Sequence, residues 1–265
     1  MRSNGSARDR RASGVADKPL DTMEVGMIVT TSWDDGDVLD ERLADLLDRH
    51  GIRGTFYMTR RYRRYRLPDD RIRALAESHE IGAHTLTHPD LRLLSHTAKA
   101  NEVEGSKHWL EDVIGKPVSM FCYPFGRFDA ATKSSVLAAG FQGARTTRQF
   151  SLVPTADRLA IATTLHVHPL LLRRDNMRDF SAYLLRSAQD HSCWHDGFVI
   201  GAAMLRGWLY FAETLFRIST AQPQTVFHLW GHSWEIEASG MWKQLDTFLE
   251  VLSSLSCRFK ANGDL

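Results

Sequence analysis

From residue 27 to the C-terminus, short runs of strand-favouring residues take turns with helical patterns, without an internal repeat or a low-complexity linker. This alternation is the strongest constraint on the fold. Strands separated by a helix-length crossover pair in parallel, because the crossover returns the chain to the same end of the sheet. The expected class is α/β with a parallel sheet, either closed as a barrel or open and doubly wound; periodicity alone does not choose between them.

The elements follow from local chemistry. Residues 27–33 (MIVTTSW) read as a strand that runs into the turn-like Asp34-Asp35-Gly36. Residues 38–50 place Leu39, Leu43, Leu46 and Leu47 on one helical face and meet Gly51, a natural helix terminator. Strands are expected at 54–59, 80–85, 118–123, 144–147 and 225–230, and helices at 69–78, 95–114, 129–139, 206–219 and 241–254. The stretch 148–200 does not parse into elements. Residues 1–24 hold four arginines and no apolar core segment, so they are expected to be a disordered tail rather than a secretory signal, ahead of a single domain at 25–265.

Composition excludes several functions. Of 265 residues, 33 are Lys or Arg and 32 are Asp or Glu, so the molecule as a whole is no polyanion binder, and nucleic acid is not an expected partner. The longest apolar stretch, 197–212, is broken by Arg206 and is too short for a membrane span. Cys122, Cys193 and Cys257 are odd in number and lack a C-x-x-C spacing, which fits reduced thiols and a cytoplasmic protein better than a disulfide framework. The oligomeric state is not legible.

Four segments carry chemistry, and three of them end an expected strand, where α/β folds build their sites. In Thr31-Ser32-Trp33-Asp34-Asp35-Gly36, two adjacent carboxylates can diverge, one towards a metal and one towards a proton; alone, the motif is also an ordinary turn. In His84-Thr85-Leu86-Thr87-His88, histidines four apart can meet on one face of a helical turn and share an ion. The pairs His191/His195, with Cys193 between them, and His228/His232 have the same spacing and compete for that reading. Phe121-Cys122-Tyr123-Pro124-Phe125-Gly126 is a strand breaking into a loop, with an exposed backbone N–H beside an aromatic wall. Residues 227–235 interleave Trp230 and Trp234 with His228 and His232, which suggests a carbohydrate-contacting wall with a titratable group; core packing is the alternative for Trp230 and, more strongly, for His228.

Taken in order, these segments resemble the metal-dependent polysaccharide deacetylases, a carbohydrate-esterase family. The family pattern T-F-D-D-G, H-[ST]-x-x-H, R-x-P-[YF]-G and a late strand with a catalytic histidine is matched by TSWDDG (31–36), HTLTH (84–88), YPFG (123–126) and GHSWE (231–235). The resemblance implies a distorted parallel (β/α) barrel as a single domain. It implies Asp35, His84 and His88 as ligands of one divalent metal, Zn²⁺ first and Co²⁺, Ni²⁺ or Mn²⁺ as alternatives. It makes Asp34 the general base for the attacking water, His232 the acid that protonates the departing amine, and the backbone N–H of Phe125 an oxyanion donor. Tyr123, Phe125, Trp230 and Trp234 would contact a carbohydrate substrate.

The chain departs from the pattern twice. The arginine of the third motif falls at Cys122, and Arg145 in the next strand is the candidate replacement. No D-x-W segment between 150 and 220 supplies the aspartate that pairs with the histidine acid. The implied activity is removal of an N-acetyl group from an acetamido sugar of a glycan or glycan precursor. An O-acetyl ester, another amide, or an inactive glycan-binding barrel are the alternatives. One further run stands out: residues 60–66 hold five arginines and two tyrosines, with no acidic residue before Asp69. Arg61, Arg63 and Arg64 are expected to contact an anionic substrate.

Overall fold

A computed structural model describes residues 27–151, 156–169, 199, 201–220 and 225–265. The proposed tail at 1–24 and the rival cluster His191, Cys193 and His195 lie outside the described residues. The first half of the chain alternates as the sequence pattern implies: β1 (Ile28–Asp35), α1 (Asp40–Arg49), β2 (Thr55–Met58), α2 (Asp69–Leu75), β3 (Glu80–Ala83), α3 (His96–Ile114), β4 (Met120–Cys122), α4 (Ala130–Ala138) and β5 (Gly143–Arg145). The second half adds β6 (Leu165–His166), α5 (Trp208–Thr220), β7 (Val226–Gly231), α6 (Ser233–Ser239), α7 (Trp242–Ser254) and β8 (Arg258–Lys260).

Local signals set the helix ends. Ser95 caps α3, its hydroxyl accepting the N–H of Ala98, and Gly115 closes the helix in the left-handed conformation at φ 67°. Asp129 caps α4 through the N–H of Thr132. On α1, Leu43, Leu46 and Leu47 are buried, so the leucine face read from the sequence is the face that packs.

The strands run in the order β5-β4-β3-β2-β1-β7-β6, and every pairing is parallel. β8 lies beside Ile28–Thr30 of β1, below the point where β2 begins to pair at Ser32. Residues 161–166 span the two edges of the sheet: Ile161 bridges Arg145 of β5, while Leu165 and His166 pair with Leu229 and Trp230 of β7. The sheet therefore curls round into a distorted (β/α) barrel, a single domain, with helices packed outside. Trp33, Phe56, Phe121, Phe227 and Leu229 are fully buried in the apolar core shared with the helices, and Tyr57, Met120, Cys122 and Ile161 form a separate small cluster. The polar end of the barrel is the end where β1, β3, β4 and β7 stop.

Candidate active site

β1 delivers two carboxylates to that end. Neighbouring residues of a strand face opposite sides, but the chain turns at Asp35, whose φ is 84°, and again at Gly36, at 69°. A side chain at Gly36 would collide with Sδ of Met58 at 2.9 Å, so this tight exit requires glycine. Asp35 is held by Nε1–H of Trp234, which donates to its Oδ2 at 2.9 Å, and Thr59 donates its hydroxyl to the Asp35 carbonyl at 2.8 Å. The other oxygen, Oδ1, is buried without a hydrogen-bond partner.

The two histidines lie on the loop after β3. This is not the helical turn expected from their spacing: Thr85 and His88 have φ of 68° and 59°, and the loop reverses on itself. Glu102 of α3 grips it from outside, accepting the N–H groups of Leu86 and Thr87 and the Thr87 hydroxyl at 2.7–2.9 Å. Nδ1 of His84 donates to the Cys122 carbonyl at 2.7 Å, which leaves Nε2 as the inward lone pair. Nε2 of His84 and Nε2 of His88 each stand 3.8 Å from the orphaned Oδ1 of Asp35. Burial pushes both imidazoles down to about 4, so both are neutral at pH 7 with lone pairs free. One carboxylate and two neutral imidazoles converging on an unpartnered oxygen fit a divalent cation, and the donor set suits zinc and its neighbours.

Asp34 points to the other side of the pocket. Its Oδ1 is in a close ion pair with Nη2 of Arg145, and its Oδ2 stands 4.0 Å from Nε2 of His232 and 3.7 Å from Sγ of Cys122. Burial works against this carboxylate's charge, but Arg145, His84 and His232 outweigh it and hold the pKa at about 2. The rest of the Arg145 guanidinium lies over the rings of Trp230 and Tyr57, at 4.9 and 5.2 Å, in place of further acceptors.

His232 caps the start of α6. Its Nε2 is 3.9 Å from Oδ2 of Asp35, and its Nδ1 is hydrogen-bonded at 2.5 Å to Oε2 of Glu235, three residues on. Burial alone would lower the pKa of this imidazole; Glu235, Asp35 and Asp34 more than reverse that, and it is raised. His228, four residues earlier, is not an alternative at this site. It is buried against the Ser32 hydroxyl at 2.8 Å, with its pKa pushed down to about 3.

Several expected substrate contacts take other places. Tyr123 is fully buried and donates its hydroxyl to the Leu159 carbonyl at 3.0 Å, so it is core rather than wall. Trp230 is 3% exposed and stacks on His166 with ring centres 4.1 Å apart. The alternation of β7 puts Trp230 and His228 on one side of the sheet and Phe227, packed on Phe216 and Phe248 of the flanking helices, on the other. Phe125 is at the rim, 50% exposed, in the left-handed conformation at φ 58° and edge-on to His88 at 4.6 Å. Trp234 is half-buried beside His232.

The arginine run also differs from expectation, because acidic partners on both sides of it take up two of its charges. Arg63 pairs with Asp37 at 3.0 Å and lies over Trp234, and Arg66 pairs with Asp69 at 2.7 Å. Arg64 lies over Tyr65, and both are exposed. Arg61 is exposed, and its backbone N–H donates at 2.8 Å to Leu86, inside the histidine loop. Tyr62 stacks on His88 with centres 4.2 Å apart. Sequence reasoning assigned no role to Glu235 or His166. A carboxylate three residues after a candidate acid, across a helix start, was the available signal.

The polysaccharide deacetylase family model matches residues 24–144, the part that carries Asp34, Asp35, His84 and His88. Through this segment, the chain is similar to the polysaccharide deacetylase family. Over 118 residues the chain is 25% identical to the uncharacterized protein YlxY of Bacillus subtilis, covering 44% of itself and 35% of that relative. It thus spans about a third of the curated relative's length. Solved structures share its fold along most of its length. The chitin deacetylase of Colletotrichum lindemuthianum matches at 16% identity and TM-score 0.56, over 93% of this chain and 92% of that one. A family 4 acetyl xylan esterase from Clostridium thermocellum, in complex with cobalt, matches at 15% and 0.56, over 89% of both chains. A family pseudoenzyme, whose mutant has restored activity, matches at 14% and 0.56, over 91% of this chain and 67% of that one. Among the described residues, no helix is long and apolar enough to cross a membrane.

Proposed function

We propose that this protein is a metal-dependent hydrolase that removes the acetyl group from an acetamido sugar of a glycan or glycan precursor. The observation that carries the reading is the convergence of His84 Nε2 and His88 Nε2 on the unpartnered Oδ1 of Asp35, with an ionised Asp34 on one side and His232 opposite. Asp35, His84 and His88 would hold the ion, with Zn²⁺ the first candidate and Co²⁺, Ni²⁺ or Mn²⁺ also suited to the donors. A divalent ion there supplies Lewis acidity and brings the ionisation of water near neutral pH.

The chain's own residues do the rest. Asp34 is the base that accepts the proton of the attacking water, and Arg145 fixes the carboxylate so that only Oδ2 faces the pocket. In this reading the backbone N–H of Phe125, on the rim loop, serves as an oxyanion donor. His232 gives a proton to the leaving nitrogen, without which the C–N bond breaks poorly because an amide anion is a very bad leaving group. What supports catalysis over an inert barrel is that base and acid are both present beside the ligands. Arg61, whose backbone joins the histidine loop, and the exposed Arg64 favour a substrate with negative charge, as a uronic acid, a phosphate or a nucleotide diphosphate.

The test is acetate and amine release from acetylated sugars, nucleotide-linked sugars and oligosaccharides, with chelator and after metal is restored. Chelator-sensitive release from at least one acetamido sugar is expected. Release that ignores chelator, or metal content unaltered in His84→Ala and His88→Ala, overturns the assignment.

A further inference from the structure

Glu235 has an unusual position for a buried carboxylate: two imidazoles share one of its oxygens. Oε2 lies 2.5 Å from Nδ1 of His232 and 3.1 Å from Nε2 of His166. The three side chains come from different parts of the barrel, His166 from β6, His232 from the end of β7 and Glu235 from the first turn of α6. All three residues are buried.

The same three residues also form a candidate cation cluster, and the distances decide between the two readings. Ligands at 2.0–2.1 Å from a tetrahedral zinc stand roughly 3.3 Å apart. A nitrogen at 2.5 Å and another at 3.1 Å from one oxygen are hydrogen-bonded to it, with no room for an ion between.

The pair also has the rigidity that a positioning group needs. The His166 ring is stacked at 13° on Trp230, which itself lies under the Arg145 guanidinium, and the His166 carbonyl accepts Nε1–H of Trp208 at 2.8 Å. A carboxylate tied to a fixed imidazole cannot rotate freely, so the His232 ring bonded to it cannot either. With Nδ1 committed to Glu235, Nε2 of His232 is the nitrogen that faces Asp34 and Asp35, at 4.0 and 3.9 Å.

We propose that Glu235 and His166 are positioning residues that act through His232: a His166–Glu235–His232 chain that aims Nε2–H of His232 at the departing group. The inference rests on the reading of His232 as proton donor. It assigns to a glutamate inside the histidine motif itself the task expected of an aspartate elsewhere. His166 fixes the rotamer of that glutamate.

The experiment compares two substrates on the metal-loaded full chain: an acetamido sugar, whose amine must be protonated to leave, and 4-nitrophenyl acetate, whose leaving group needs no proton. Glu235→Gln should lose roughly 100-fold in kcat on the amide, with KM within about twofold, and at least ten times less on the aryl ester. His166→Gln should show the same amide-selective pattern at smaller size, and Glu235→Asp should recover part of the loss. In ¹H–¹⁵N spectra, the far-downfield Nδ1–H of His232 should move upfield in Glu235→Gln at unchanged metal content. Equal losses on both substrates, or no loss on the amide where His232→Ala loses it, overturn the proposal; if Glu235→Gln does not fold, His166→Gln decides by the same criteria. Wild-type protein inactive on both substrates with metal restored would instead remove the deacetylase reading, and this role with it.

Discussion

Arg145 and Asp34 form a fully buried ion pair across the barrel although 111 residues separate them. Neither charge has water to fall back on, so each depends on the other. Removing one partner of such a pair typically destabilises by about 3–5 kcal/mol, because a lone buried charge remains.

Arg145→Met should therefore lower the midpoint of thermal unfolding markedly, and turnover with it, since Asp34 loses both its counter-charge and its orientation. Asp34→Asn in the same chain should restore most of the stability and none of the activity. Unfolding curves of the two single variants and the double variant measure the coupling. Strictly additive losses would show that the pair is not coupled.

Ligands and proton carriers should separate cleanly under mutation. His84→Ala, His88→Ala and Asp35→Asn should lose bound metal. Asp34→Asn and His232→Ala should keep it while turnover falls roughly 10²–10⁴-fold, the range of general acid–base groups. Elemental analysis beside steady-state kinetics reads both. Loss of metal from Asp34→Asn would mean that the two adjacent carboxylates have been assigned in the wrong order.

Acid should unfold the metal-stripped protein early. Burial lowers the pKa of His84 and His88 from 6.5 to about 4 and that of His228 from 6.5 to about 3. The unfolded chain therefore takes up protons first as pH falls, and stability drains away between about pH 6.5 and 4, each pKa unit being worth ~1.4 kcal/mol. His232 works the other way, its pKa being raised, so its contribution is present at low pH and fades as pH rises through the raised value. With His79 also lowered by burial, four lowered histidines against one raised set the direction among the histidines. Bound metal should shift the fall to lower pH, because it binds only neutral imidazole. Melting curves at several pH values, with and without chelator, check both statements; a flat profile from pH 6.5 to 4 would contradict the burial argument.

The arginine segment makes a narrower prediction than its charge count suggests. Arg63 and Arg66 are already paired and Arg60 lies over Trp109, which leaves Arg61 and Arg64 to act on a ligand. Arg61→Gln with Arg64→Gln should raise KM for a charged acetylated sugar several-fold and flatten its salt dependence, while a neutral sugar is unaffected. A neutral oligosaccharide processed as well as any charged one by both proteins would refute the anionic substrate.

Much of this was legible in the amino-acid order, and the misses have physical causes. Strands of four residues or more, such as β1 and β2, show their composition. β6 has two residues, too few for any period to register, and β8 is one phenylalanine between Arg258 and Lys260. α6 begins directly at His232 and spans only seven residues, so its pattern merges with the motif before it. Asp34, Asp35, His84, His88 and His232 could be singled out because they sit at strand ends. His84 and His88 were placed on a helical turn by spacing alone, which cannot report the positive φ of Thr85 and His88. Tyr123 and Trp230 read as a wall because aromatic residues beside Pro or Gly look exposed; packing invisible to composition buries Tyr123 against Phe121 and Phe128 and Trp230 against His166. Glu235 was in plain view but lacked a partner until β6 brought His166 beside it.

The ladder between β4 and β5 sets Cys122 directly opposite Arg145. The family pattern places its arginine at the first of these two positions, and here the guanidinium springs from the second and still reaches Asp34. Cross-strand neighbours are interchangeable anchor points for a long side chain, so a functional group can migrate sideways through a sheet while its working end stays where it was. Motifs written along the chain follow the anchor. Chemistry follows the tip, and a barrel that has lost a signature residue by letter can keep it in space, one strand away.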